Sequence, residues 1–93
     1  MAIKISGING SANILSSSAK IRVENGTIDH CVLKVVDGGY VVTFALGDRE
    51  VEWEGEPLVL CSARNPYEPR VFKSIDGAWA ESQRIGIKNL TIR

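Results

Sequence analysis

Apolar residues recur along this chain at two periods, and the switch between them sets the expected architecture. Lys20 to Glu24 alternates apolar and polar residues as a strand does, and Asn25-Gly26 has the chemistry of a two-residue hairpin turn. Residues 27–36 would return from that turn, and Asp37-Gly38-Gly39 makes the next one. Tyr40 to Leu46 then alternates cleanly, with Tyr40, Val42, Phe44 and Leu46 on one face and Val41, Thr43 and Ala45 on the other. Gly47-Asp48 turns into Glu50–Glu54, where Val51 and Trp53 point one way and Glu50, Glu52 and Glu54 the other. Gly55-Glu56-Pro57 breaks this strand, and Leu58 to Cys61 forms another.

Beyond the loop Ser62–Pro69 the period changes. Val71 and Phe72 suit a short strand, after which Ile75, Ala78, Trp79, Ser82 and Ile85 recur at three- and four-residue spacing. That spacing predicts an amphipathic helix over residues 74–85, with Trp79 as its anchor and Asp76, Glu81, Gln83 and Arg84 on its outer side. Ser74 suits the N-cap and Gly86 the left-handed stop. Ile87, Leu90 and Ile92 read as a closing strand with a bend near Lys88-Asn89. At the other end, Ala2 to Ser6 alternates weakly as a first strand, and Gly7 to Ser11 is turn chemistry. Ala12 to Ala19 has no firm preference, a short helix capped by Ser11 being one solution. The glycines and serines there lack the lysine and the strand-to-helix setting of a phosphate loop. The expected fold is therefore α+β: an antiparallel β-meander of five to six strands packed by one C-terminal helix, with a final short strand, all in a single domain spanning residues 1–93.

The size of the chain, 93 residues, permits one core, and an apolar fraction of 44% argues for a folded chain. No apolar run approaches about 18 residues and no signal-peptide pattern is present, so the expectation is a cytoplasmic protein with no membrane association. Cys31 and Cys61 form no Cys-x-x-Cys pair and are expected as buried thiols. His30 is the single histidine, with no second ligand pair at metal spacing, so no metal and no cofactor is expected. No motif supports Ser or Cys nucleophilic catalysis, and the chain is read as non-enzymatic, a small enzyme being the remotest alternative.

Charge adds what the apolar pattern cannot. The net charge is zero, yet residues 48–56 carry five acidic side chains (Asp48, Glu50, Glu52, Glu54, Glu56) and one basic. Residues 57–93 carry six basic side chains and three acidic ones. Glutamates alternating along a strand lie about 6.5–7 Å apart, close to the phosphate spacing of a nucleic-acid strand, so the acidic set is a candidate partner-binding surface. A solvated strand face is the plain reading of the same residues. Arg64, Tyr67, Arg70, Lys73, Arg84 and Lys88 are the candidates if nucleic acid is the partner, arginine and lysine touching phosphates while the ring stacks on a base.

The run Pro69-Arg70-Val71-Phe72-Lys73-Ser74-Ile75-Asp76, a helix, then Ile85-Gly86-Ile87, resembles a C-terminal segment of small accessory proteins of conjugative plasmids and other mobile elements, partition-associated proteins among them. Pro57-Leu58-Val59-Leu60 with Arg64 fits the same pattern, so the likeness covers roughly residues 57–93. It implies a plasmid- or phage-borne accessory protein and transfers no catalytic residue. The expected function is that of a mobile-element protein acting by binding a macromolecular partner, in the first place a protein. Inhibition of a host defence system such as CRISPR or restriction is one form this would take, by analogy with the setting. A nucleic-acid-binding plasmid maintenance or partition factor is the alternative, and a homodimer is compatible with either.

Overall fold

The computed structural model describes the backbone of residues 3–4 and the whole of residues 12–92; the expected turn at Gly7–Ser11, with Ser11 as a cap, lies outside them. The described chain is α+β, with a mixed sheet and two helices. In order, the elements are β1 (Ile3–Lys4), β2 (Asn13–Leu15), α1 (Ser16–Glu24), β3 (His30–Val36), β4 (Gly39–Leu46), β5 (Arg49–Trp53), β6 (Glu56–Pro57), β7 (Val59–Cys61), α2 (Ile75–Ile85) and β8 (Leu90–Ile92).

β4 is the centre of the sheet. Along one side it pairs antiparallel with β3, from His30↔Ala45 to Val36↔Gly39, so Asp37-Gly38 closes a tight hairpin as its sequence implies. Along the other side it has three partners in turn: Tyr40 bridges Phe72, Thr43 faces Val59 of β7, and Ala45 and Leu46 face Glu50 and Arg49 of β5. The sheet forks there, because β5 leaves β4 to pair with β6 while β7 takes its place. The expected meander holds only for the hairpins β3–β4, β4–β5 and β5–β6. Three pairs are parallel: β1 with β5, β2 with β7 and β3 with β8. Parallel partners need long crossovers, which carry no local turn signal.

The region from Ser16 to Glu24 corrects the sequence reading. It is one helix, α1: residues 16–19, which have no firm preference in the sequence, are helical, and so are residues 20–24, whose alternation predicts a strand. Ala19 and Val23, four residues apart, face the core, whereas Ile21, which strand alternation would bury, is exposed. Asn25-Gly26 ends this helix rather than closing a hairpin. The Gly26 N–H donates to the Val23 carbonyl at 3.1 Å and the Thr27 N–H to the Arg22 carbonyl at 3.0 Å, the paired bonds of a Schellman cap, with Gly26 at φ 78°. α2 ends the same way: Gly86 sits at φ 107°, and the Gly86 and Ile87 amides bond the Gln83 and Ser82 carbonyls. At its start the Ser74 hydroxyl accepts from the Gly77 N–H at 3.1 Å.

Both helices cover the sheet face that presents Val42 and Phe44, closing a core with Leu33, Leu58, Leu60 and Phe72. α2 buries Ala78, Glu81, Ser82 and Ile85. Trp79 packs against the core from a half-buried position, and Ile75 lies exposed. Glu81, expected on the outer side, is only 9% exposed, because α1 occupies the flank of α2 on which it stands. There the Ser16 hydroxyl donates to its carboxylate at 2.9 Å, and Arg70 and Arg84 each approach it at 3.5 Å.

Candidate functional site

The sheet face away from the helices carries the site. Alternation along β4 places Val41, Thr43 and Ala45 opposite the helix-facing Val42 and Phe44. Val41 and Thr43, with Val59 of β7, floor an open cleft of about 590 Å³. The Thr43 hydroxyl is spent on the Val32 carbonyl at 2.9 Å, so the floor is apolar in character. Around it stand Asn13, Lys34, Glu56, Pro57, Tyr67 and Pro69.

Each wall is fixed by a specific local feature. Lys34 comes from the middle of β3, and its ammonium lies 2.8 Å from the Glu50 carboxylate. Glu56 and Pro57 are brought in by the β5–β6 turn, in which Glu54 and Gly55 adopt φ 51° and 81° and Trp53 pairs with Glu56. Tyr67 and Pro69 come from the loop Ser62–Pro69. That loop is tied to the sheet twice: the Asn13 side-chain amide donates to the Pro66 carbonyl at 3.0 Å, and the Arg70 N–H donates to the Leu60 carbonyl at 2.9 Å. On this anchored loop the Tyr67 side chain stays 77% exposed.

The expected acidic row is only partly formed. Glu50 and Glu52 alternate along β5 and are half-buried, Glu50 being engaged by Lys34. Glu54 is not on the strand at all, because β5 stops at Trp53 and Glu54 belongs to the turn. Asp48, Glu54 and Glu56 are the exposed members, Asp48 at the β4–β5 turn before β5 and Glu54 with Glu56 at and beyond its other end.

The basic set comes from three parts of the chain, and only Arg70 and Arg84 are brought together, at Glu81. Arg64 and Tyr67 lie in the Ser62–Pro69 loop, Arg70 and Lys73 precede α2, and Arg84 and Lys88 lie at its far end. Arg70 stacks over the Phe72 ring, 4.5 Å from its centroid, and both it and Arg84 reach toward Glu81. A second hollow, about 270 Å³, lies beside Arg70, lined by Ser16, Ser17, Ser62 and Cys61 at the start of α1.

The remaining reactive groups are quiet. Cys31 is fully buried, and burial pushes its thiol up to about 11, while Cys61 is raised by burial as well. Neither is a thiolate near neutral pH. His30 Nδ1 lies 2.8 Å from Asp29 Oδ1, and the Gly47 N–H donates to both Asp29 oxygens at 3.0 and 3.1 Å. These contacts, that with His30 foremost, hold the Asp29 carboxyl below the usual carboxylate range. Among the described residues no group of three His, Cys, Asp or Glu side chains could hold a metal ion, and no helix is long and apolar enough to cross a membrane.

The cleft floor was missed by sequence reasoning, although a signal was present: Val41, Thr43 and Ala45 carry no charge on the face that the helix was not expected to cover. Glu81 gave no such signal, since its burial comes from α1. Comparison with protein-family models, with curated proteins and with solved structures gives no match.

Proposed function

We propose that this chain is a non-enzymatic binding protein that engages a protein partner through an acidic end, Glu54 and Glu56 beyond β5, and the cleft beside it, with Asp48 adding negative charge at the other end of β5. In the setting that the resemblance of residues 57–93 implies, the partner is a protein of the machinery a mobile element meets in its host. One observation carries the reading: the fold brings Glu56 of the acidic run and Tyr67 of the Ser62–Pro69 loop, eleven residues apart, onto the rim of a single open cleft with an apolar floor. Apolar floor, exposed aromatic and charged rim are the ordinary ingredients of a protein-binding surface. Nucleic-acid binding draws less support, because Arg70 and Arg84, the two basic side chains brought together, are both directed at the Glu81 carboxylate.

The test is retrieval of partners from host lysate by the parent and by a triple reversal, Asp48→Lys with Glu54→Lys and Glu56→Lys. These three side chains are exposed, so the fold should survive. The triple variant should lose a partner that the parent retains, while Arg84→Glu with Lys88→Glu should retain it. Equal retrieval by the triple variant would reduce the acidic end to a solvated surface.

A further inference from the structure

The cleft over β4 and β7 also indicates what kind of segment it would take, and this inference rests on the reading just proposed. Its cavity of about 590 Å³ is open to solvent and floored by side chains from two neighbouring strands, a trough rather than an enclosed pocket. The charges on its walls do not cancel. The ammonium of Lys34 is already neutralised by Glu50 at 2.8 Å. The Glu56 carboxylate is exposed and enters no ion pair among the described residues. Glu54, exposed on the adjoining turn, extends the negative potential beyond the rim. The same cleft is lined by Tyr67, held out by a loop anchored through Asn13 and Pro66, where its ring can pack on an aliphatic chain or lie against a cation.

We infer that the cleft seats an extended cationic segment of a partner polypeptide, with an aliphatic side chain on the Val41–Thr43–Val59 floor and a lysine or arginine directed at Glu56. Charge complementarity selects this occupant over a nucleic-acid strand, whose phosphates would meet Glu56 and Glu54. The floor selects it over a purely polar cation, because a buried aliphatic side chain gains where a hydrated one does not.

The experiment is a titration of the isotope-labelled chain, followed by amide chemical shifts, with three probes: acetyl-Lys-Leu-Lys-Val-Lys-amide, its charge-reversed counterpart acetyl-Glu-Leu-Glu-Val-Glu-amide, and a short oligothymidine. The basic peptide should shift the amides of Val41, Thr43, Val59 and Tyr67 saturably and bind at least roughly tenfold more tightly than the acidic one. Tyr67→Ala and Glu56→Lys should each weaken it by roughly tenfold, with the spectrum elsewhere unchanged. Equal binding of the acidic peptide, shifts at the cleft with oligothymidine, or no saturable shift with the basic peptide at millimolar concentration would each overturn the inference. If the basic peptide fails while lysate retrieval still depends on Asp48, Glu54 and Glu56, the acidic end remains the working surface and only the seating of a cationic segment falls. If both fail, so does the proposed function.

Discussion

Glu81→Ala should be among the costliest single substitutions on α2, although the helical pattern of the sequence places Glu81 on the outside. The carboxylate is 9% exposed and joins three parts of the chain: α1 through the Ser16 hydroxyl at 2.9 Å, the segment before α2 through Arg70, and the next turn of α2 through Arg84. Removing it deletes one hydrogen bond to a charged acceptor, worth about 1.5–3 kcal/mol. The two arginine contacts, at 3.5 Å and to side chains 42% and 79% exposed, add only about 0–1 kcal/mol together after solvent screening. Relief of the carboxylate's own desolvation acts in the opposite direction. The net loss is about 2 kcal/mol, which for a chain of this size lowers the melting temperature by roughly 8–16 °C. Glu81→Gln keeps an acceptor for Ser16 and should lose about half as much. Thermal and urea melts followed by circular dichroism read both, and a double-mutant cycle with Ser16→Ala isolates the α1–α2 bond. A Glu81→Ala variant melting with the parent, or a cycle with no coupling, would refute the buried linkage and restore the outward-facing carboxylate.

Three other outcomes follow from single features of the fold. Gly39→Ala should destabilise strongly, because its Cβ would stand 2.0 Å from the Phe72 carbonyl oxygen at a backbone φ of 153°; a melt matching the parent's would argue against the Tyr40–Phe72 bridge. Cys31 should resist thiol reagents in the native state and react once urea unfolds the chain. Its raised pKa also means that stability falls as pH climbs past the ordinary value of 9.0, where only the unfolded thiol ionises, toward the folded value of about 11; rapid native labelling would contradict its burial. Asp29→Asn should loosen the β4–β5 turn at neutral pH. Because the folded carboxyl is held below its ordinary 3.8, the stability it contributes is present above that value and is lost as pH falls through the lower folded value. The melting difference between parent and variant should therefore close in acid, and a difference constant with pH would exclude the ionised Asp29 as its source.

What could be read in the sequence was the local chemistry. Ser74 and Gly86 mark the ends of α2, Asp37-Gly38 marks a hairpin, and the alternation from Tyr40 to Leu46 marks the central strand. Each of these depends on residues within a few positions of one another. α1 was legible only in part: three serines leave residues 16–19 without a firm preference, the five-residue alternation of residues 20–24 imitates a strand, and Asn25-Gly26 serves a helix end as well as a hairpin. The parallel pairs of β2 with β7 and β3 with β8 escaped because partners over 40 residues apart share no local signal. For the site, five acidic residues in nine are plain in the sequence. Which of them remain exposed depended on Lys34 capturing Glu50 and on the turn removing Glu54 from the strand. Tyr67 shares a cleft with Glu56 on a loop tied back to β2 through Asn13.

The most direct test of the acidic end as the working surface is a hydrogen-exchange footprint of the chain, free and in complex with a partner that the parent retrieves and the triple reversal does not. Protection should concentrate on the β5–β6 connection around Glu54 and Glu56, on the floor strands at Val41–Thr43 and Val59, and on the loop around Tyr67, leaving the exposed side of α2 at Gln83 and Arg84 unchanged. Protection confined to α2 and Lys88, with the β5–β6 connection exchanging as in the free chain, would contradict it.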